Sequence, residues 1–266
     1  MTQAERRLYL IRSLLNEKTE YQSLNVPRDA GEQRKLLRSL MNVRMPKAAD
    51  EAFLRVQDEY LQQELADEGV TDLDDLRPVS GDLYLWQGDI TRLKCGAIVN
   101  AANSGMTGCY IPCHACIDNC IHTFAGVQLR QDCAALMAEQ GHEEPTGQAK
   151  ITKAYNLPCD YVLHTVGPIV SGRVTREDER LLASCYRSCL ELAEKNSVRS
   201  IAFCCISTGV FHFPNERAAE IAVETVRRCK VETGSKIKVV FNVFKDLDKT
   251  IYERLLGANC APAARA

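Results

Sequence analysis

Two cysteines and a histidine lie close together in the middle of the chain. Cys109, His114 and Cys116 fall within eight residues, and Pro112 interrupts the segment GCYIPCHACIDN. Thiolate sulfur and imidazole nitrogen are preferred ligands of zinc, and a set of three protein ligands leaves the fourth position open, as in catalytic zinc sites. The spacing therefore predicts a zinc site formed by these three side chains.

Two further cysteines leave the type of zinc site open. Either Cys113 or Cys120 could add a fourth thiolate, and the zinc would then be structural rather than catalytic. A metal-free cluster of core cysteines fits less well, because a proline-containing loop ahead of a helix is not a core context. We interpret His122, on the following helix, as a packing group or a support for the ligands. His164 lies in a strand and is interpreted as a core histidine.

Three loops that follow apolar strands carry polar or small residues. They are GDIT at residues 88–91, NAAN at residues 100–103 and STGVFHFP at residues 207–214. A hydroxyl- and glycine-rich turn between a strand and a helix can direct backbone N–H groups at phosphate oxygens, which favours a phosphate site at the third loop. Each loop alone could be an ordinary turn, but their order and placement together are more specific.

The elements that must position these loops are strands alternating with helices. Apolar runs predict strands at residues 83–87, 96–100, 161–166, 200–206 and 237–244. Helical patterns around residues 182–192 and 219–229 lie between them. This alternation predicts an α/β fold with a mixed or parallel sheet, whose ligands collect at the carboxyl ends of the strands.

The first part of the chain predicts helices alone. Three apolar stripes occur before residue 78, with Pro27 and Pro46 between them, and no chemical constellation is present, so we interpret this region as a packing appendage. The boundaries predicted from the sequence are a helical N-terminal extension at 1–80, one α/β domain at 81–258 and a tail at 259–266.

Composition predicts a soluble protein of the reducing cytoplasm. The net charge is −2 and lacks the clustered Lys and Arg of a nucleic-acid or membrane-binding surface, so neither partner is expected. No apolar leader precedes the first helix, and the thirteen cysteines are therefore expected to be reduced. Most are interpreted as small buried hydrophobic residues, including Cys185, Cys189, Cys204 and Cys205.

The loops and strands together resemble the macrodomain family. The resemblance rests on GDIT, AIVNAAN, IDNCIH, PTGQAKITKAYNLPCDYVLHTVGP and STGVFHFP, and it covers about residues 82–255. It is closest to the branch that removes ADP-ribose from proteins. The resemblance implies a three-layer α/β/α sandwich with a mixed sheet and ADP-ribose in a cleft.

Carried over by position, the resemblance assigns roles to individual residues. Asp89 would accept a hydrogen bond from the adenine amine, with Ile90 beside it, and Asn103 would contact the distal ribose. Asp118 matches the family's catalytic acid. The remaining expected ADP-ribose contacts are Ile117 and Asn119 beside Asp118, and Ser207, Thr208, Gly209, Val210 and Phe211 around the diphosphate.

The cysteine-containing insertion departs from the usual glycine run of macrodomains and is similar to zinc-dependent bacterial members, which also have a helical N-terminal extension. The motif of those members matches Cys109, His114 and Cys116 as ligands. The resemblance implies a zinc-dependent hydrolase that removes mono-ADP-ribose from modified proteins. It also suggests sirtuin-type modification of a lipoylated carrier protein. The alternatives are a non-catalytic ADP-ribose-binding module with structural zinc and an O-acetyl-ADP-ribose deacetylase.

Overall fold

The computed structural model describes residues 1–21 and 23–257, which form two compact units. The first unit comprises residues 1–70, 105–143 and 154–157, and the second comprises residues 71–104, 144–153 and 158 onward. The domain boundaries expected from the sequence stay a prediction, and the tail at 259–266 lies outside the described residues. None of the helices in the described part of the chain is long and apolar enough to cross a membrane.

The first unit is helical. Its helices are α1 (Gln3–Asn16), α2 (Ala30–Val43), α3 (Glu51–Glu68), α4 (Ile117–Ala125) and α5 (Val127–Gln140). The first three begin at the side-chain caps Thr2, Asp29 and Asp50, each of which accepts a backbone N–H of the first turn. Their apolar stripes meet in one buried cluster, as expected from the helical spacing.

The second unit is built on a mixed sheet. Its strands are β1 (Thr71–Asp72), β2 (Leu83–Gln87), β3 (Leu93–Ala102), β4 (Ala149–Lys153), β5 (Cys159–Val166), β6 (Ser200–Phe203) and β7 (Lys238–Val243). The order is β2-β7-β6-β3-β5-β4, and β1 pairs with β3. Only β4 is antiparallel to its neighbour among these strands. The predicted α/β class with a mixed sheet is confirmed.

Three helices accompany this sheet in the second unit. They are α6 (Arg176–Lys195), α7 (Asn215–Thr233) and α8 (Asp246–Gly257). Helix α6 packs on β4 and β5, α8 packs on β2 and β7, and α7 lies between α6 and α8. The strands β2, β7, β6 and β3 pair in parallel with one another. The loops that follow these strands therefore start at the same edge of the sheet.

The structure differs from the expected strands most clearly in three places. Strand β4 was not expected, because its AKITK sequence alternates with lysines and is only partly buried at the sheet edge, so it lacks a continuous apolar run. The short β1 lies in the region that the sequence interprets as helical. The expected strand at 200–206 ends at Phe203, because residues 204–206 already belong to the loop that leads to α7.

Candidate functional site

The three expected metal ligands lie together in the loop between β3 and α4. Cys109 Sγ is 3.5 Å from His114 Nδ1, and the ligand atoms of Cys109, His114 and Cys116 all lie within 4.8 Å of one another. Two thiols and an imidazole at this separation are a donor set that suits tetrahedral zinc. Burial raises the pKa of Cys116 to about 12, so this thiol must release its proton when a metal binds.

The two additional cysteines of this region point elsewhere. Cys113 is exposed, and its thiol donates to the Lys35 carbonyl at 3.4 Å and lies 3.3 Å from the Ser39 hydroxyl. The Cys120 sulfur accepts a hydrogen bond from Arg38 at 3.4 Å. Within the described residues, neither belongs to the group of three donor atoms. The arrangement favours the open, three-ligand alternative.

The loop that carries the ligands has an unusual backbone. Met106, Gly108 and Cys113 have φ values of 60°, 84° and 53°, in the left-handed region. A Cβ at Gly108 would lie 2.8 Å from ring atoms of His122, so only glycine fits both the conformation and the space. The shape of the loop therefore depends on surrounding residues that hold it.

The start of α4 presents the expected catalytic acid. Cys116 caps the helix, and its sulfur accepts the Asn119 N–H at 3.4 Å. Asp118 lies in the first turn, where the helix N-terminus favours a negative charge, and it is buried. Its Oδ1 is 3.6 Å from Nε2 of His122, which lies one helical turn later. The buried His122 ring therefore packs against the carboxylate. Ile117 is half-buried beside it.

The turn after β2 holds Asp89. Asp89 Oδ1 accepts two hydrogen bonds from Thr91, at 3.0 Å from the backbone nitrogen and 2.7 Å from the hydroxyl. These two hydrogen bonds fix the orientation of the Asp89 carboxylate. The N–H of Gly88 donates to the Val243 carbonyl at 3.0 Å and joins the turn to β7. Ile90 is buried, and its side chain therefore supports the turn from inside the fold.

Phe244 is a candidate that the sequence interpretation missed. It directly follows β7, and the residue is 76% exposed. It lies next to the Asp89 turn along the sheet edge, because Asn242 donates to the Gly88 carbonyl at 2.9 Å and Val243 pairs with Gly88. An exposed ring offers a stacking face for a base. The signal was available, since Phe244 ends an apolar run immediately before the charged segment KDLDK.

Asn103 is exposed at the carboxyl end of β3. The chain immediately after it is held by Glu144, whose N–H donates to the Ser104 carbonyl at 2.9 Å. Glu144 is itself buried and forms an ion pair with Lys150 of β4 at 3.1 Å. The unexpected strand β4 thus helps to set the direction in which the chain leaves Asn103.

The loop between β6 and α7 closes on itself. Ser207 has a φ of 64°, and its carbonyl accepts the Phe213 N–H at 3.0 Å. The Phe211 carbonyl accepts the Val170 N–H at 2.9 Å, which joins this loop to the segment after β5. Three of the expected diphosphate contacts lie at the accessible part of the loop: the half-buried Thr208 and the exposed Gly209 and Val210.

The hydroxyl of Ser207 is buried and has no hydrogen-bond partner in the described part of the chain. Gly167 lies directly against it, since a Cβ there would be 2.1 Å from Ser207 Oγ. A buried hydroxyl without a partner is costly, and a phosphate oxygen bound in this loop is the type of acceptor that would satisfy it. The exposed His212, with a φ of 58°, lies in the same loop.

His164 has the structural role that the sequence interpretation gave it. It is fully buried, with its ring nitrogens 2.9 Å from Thr152 Oγ1 and 3.1 Å from Asn100 Nδ2. Burial lowers the pKa of His164 to about 3, so the ring stays neutral. The interpretation of His164 as a core histidine is confirmed.

The chain is similar to known macrodomains and to proteins named as ADP-ribose hydrolases. The Macro domain family matches residues 99–222. A "Protein-ADP-ribose hydrolase" of Treponema medium is 62% identical and is covered completely by 96% of this chain. A protein of the same name from Staphylococcus aureus strain MSSA476 is 50% identical over 92% of both chains. The solved Trypanosoma brucei macrodomain in complex with ADP-ribose is 32% identical with a TM-score of 0.65, over 83% of this chain and 95% of that one.

Proposed function

The chain belongs to the macrodomain family and is a protein-ADP-ribose hydrolase, and from that premise we propose that it releases mono-ADP-ribose with the help of zinc. The observation that supports a zinc site is the short separation of three donor atoms. The donor atoms of Cys109, His114 and Cys116 all lie within 4.8 Å of one another. Zinc bound by these residues would supply a Lewis acid that polarises a ribose hydroxyl or orients the attacking water.

Two residues of the chain carry the proposed chemistry. The bond at the anomeric carbon of the distal ribose breaks through a positively charged, oxocarbenium-like transition state. Asp118 positions or activates the attacking water, for which a buried carboxylate fixed by the first turn of α4 is well suited. Asn103 holds the distal ribose through its exposed amide.

The adenosine diphosphate part is bound by residues of the second unit. Asp89 accepts from the adenine amine, and the exposed ring of Phe244 provides the stacking face. The loop from Ser207 to Phe211 holds the diphosphate through backbone N–H groups and the buried Ser207 hydroxyl. A net charge of −2 suits a phosphate held by the backbone rather than by an arginine cluster.

We further propose a substrate class and a location. The modified protein is a lipoylated carrier that a sirtuin-type transferase has ADP-ribosylated, in the cytoplasm. The support is the sequence resemblance to the zinc-dependent bacterial macrodomains, in the helical extension and in the ligand motif around His114. A direct ADP-ribose contact from Ile117 or Asn119 also stays a prediction.

The test is release of ADP-ribose from defined substrates in single-turnover experiments. We expect about one zinc per chain by elemental analysis, loss of release with a chelator and recovery with added zinc. Cys116→Ser should lose both metal and release, whereas Cys113→Ser keeps both, because that thiol lies outside the donor group. Tight ADP-ribose binding without release from any linkage would identify a binding module instead. Activity on O-acetyl-ADP-ribose alone would identify a small-molecule deacetylase.

A further inference from the structure

Helix α2 presents a polar stripe to the loop that carries the metal ligands. The stripe consists of Lys35, Arg38, Ser39 and Asn42, whose spacing places them on one face of the helix. Arg38, Ser39 and Asn42 contact residues of the loop through their side chains, and Lys35 does so through its backbone carbonyl. Leu37, Leu40 and Met41 of the same helix belong to the buried helical cluster, so packing sets how the stripe is presented.

Arg38 holds the loop at two points. Its Nη2 donates to the His114 carbonyl at 2.8 Å and to Asn119 Oδ1 at 2.9 Å. The amide of Asn119 in turn donates to the Cys109 carbonyl at 3.3 Å and to the Ile111 carbonyl at 2.9 Å. One guanidinium therefore constrains the backbone of His114 directly and that of Cys109 through Asn119.

Asn42 holds the strained residue between these ligands. Asn42 Oδ1 accepts the Cys113 N–H at 2.9 Å, and its Nδ2 donates to the Thr123 hydroxyl at 2.9 Å. Cys113 has a φ of 53°, a conformation that is unfavourable for a residue with a side chain unless its surroundings impose it. The hydrogen bonds from Cys113 to Asn42 and to the Lys35 carbonyl hold the residue in this conformation.

Arg130 of α5 connects the end of α2 to the start of the loop. It is buried and donates to the Asn42 and Arg44 carbonyls at 2.6 Å and 2.7 Å. It also donates to the Cys109 carbonyl at 3.4 Å and lies over the Tyr110 ring at 4.3 Å. A cation at the carboxyl end of a helix is favourable, so the contact stabilises α2 and the loop together.

We propose that the polar stripe of α2 shapes the zinc site before the metal binds and that Arg38 is its main positioning residue. The inference rests on the proposed zinc chemistry. A metal site costs less to form when its ligands are already held by hydrogen bonds from surrounding groups. The N-terminal helices are then part of the hydrolase, and not the packing appendage that the sequence indicates.

The experiment compares Arg38→Met with Arg34→Met in the full chain. Arg34 lies one turn earlier on the same helix, its side chain is 56% exposed, and its nearest ion-pair partner is Glu64 at 3.9 Å, so it is a matched control. Zinc affinity is measured by competition with a chromophoric chelator, and amide hydrogen exchange is followed in the metal-free proteins. ADP-ribose binding is measured by calorimetry.

We expect zinc affinity to fall about 10- to 100-fold in Arg38→Met and to stay unchanged in Arg34→Met. Exchange should rise at residues 109–116 while α1 and α3 keep their protection. ADP-ribose affinity should change little, because the proposed adenine and diphosphate contacts lie on other loops. Arg38→Lys should lose less affinity, since an ammonium keeps the charge but not the forked donors, and it serves as the test if Arg38→Met does not fold.

The outcomes separate this inference from the proposed function. A wild-type chain that binds no zinc refutes the zinc chemistry and this inference together. If the wild type binds zinc and Arg38→Met has the same zinc affinity and the same exchange at residues 109–116, only the role of Arg38 is overturned. Exchange that rises uniformly through the helical unit would mean that Arg38 stabilises the fold and does not shape the site.

Discussion

Replacing Gly167 with alanine tests the assignment of the diphosphate loop. The added Cβ would lie 2.1 Å from Ser207 Oγ and 2.8 Å from a methyl of Ile206. Non-bonded heavy atoms prefer separations of about 3.5 Å, so the Ser207 Oγ must move by about 1.4 Å. Ser207 is buried and its carbonyl is bonded to the Phe213 N–H, so either the hydroxyl rotates away from its present position or the loop backbone shifts.

The expected effect has two parts. Overpacking of this kind destabilises a fold by about 1–3 kcal/mol, which for a chain of this size lowers Tm by a few degrees. Loss of one hydrogen bond to a charged phosphate oxygen costs about 1.5–3 kcal/mol, so ADP-ribose affinity should fall roughly ten- to hundred-fold. Calorimetric titration with ADP-ribose and thermal unfolding measure the two parts separately.

The matched control removes the nearer of the two atoms that clash. In the double variant with Ser207→Ala, the nearest remaining atom of residue 207 is its Cβ at 3.4 Å, an ordinary contact. Adding Ser207→Ala to Gly167→Ala should recover part of the lost stability, since the close contact with Ile206 remains. It should not recover affinity, because the hydroxyl proposed to bind the phosphate is then absent. Wild-type affinity and wild-type Tm in Gly167→Ala would refute the assignment of this loop to the diphosphate.

The remaining predictions address the other proposed contacts. Asp118→Ala should lower single-turnover release by about 10²–10⁴-fold and weaken ADP-ribose binding much less, because its role is in the transition state; full release in the variant would leave Asp118 a structural role. Asp89→Ala should weaken ADP-ribose binding by about 1.5–3 kcal/mol in calorimetry and leave the zinc content unchanged. Phe244→Ala should weaken binding of ADP-ribose by about 1–3 kcal/mol and binding of ribose 5-phosphate not at all, since only the former carries the base; equal losses for both ligands would contradict adenine stacking.

Much of the local structure could be predicted from the sequence, because it depends on residues that are neighbours in the chain. Apolar stripes and the proline positions identified the three N-terminal helices, and the apolar runs identified five of the strands. The donor types within residues 109–116 predicted that three candidate ligand atoms would lie together, and they do, because residues so close in sequence can meet with few constraints from elsewhere. Strand β4 could not be found in this way, since an edge strand needs no apolar run.

The orientation of side chains was decided by tertiary structure alone. Cys113 is the direct neighbour of His114 in the sequence, but its thiol does not join the donor group. Hydrogen bonds to Asn42 and Lys35 hold Cys113 in a left-handed conformation, with its thiol directed at α2. The link from Arg38 to His114 joins residues far apart in sequence, and no pattern in either segment indicates it. Spacing along the chain determines which residues can share an element, whereas the direction of a side chain depends on long-range contacts that exist only once the helices have packed.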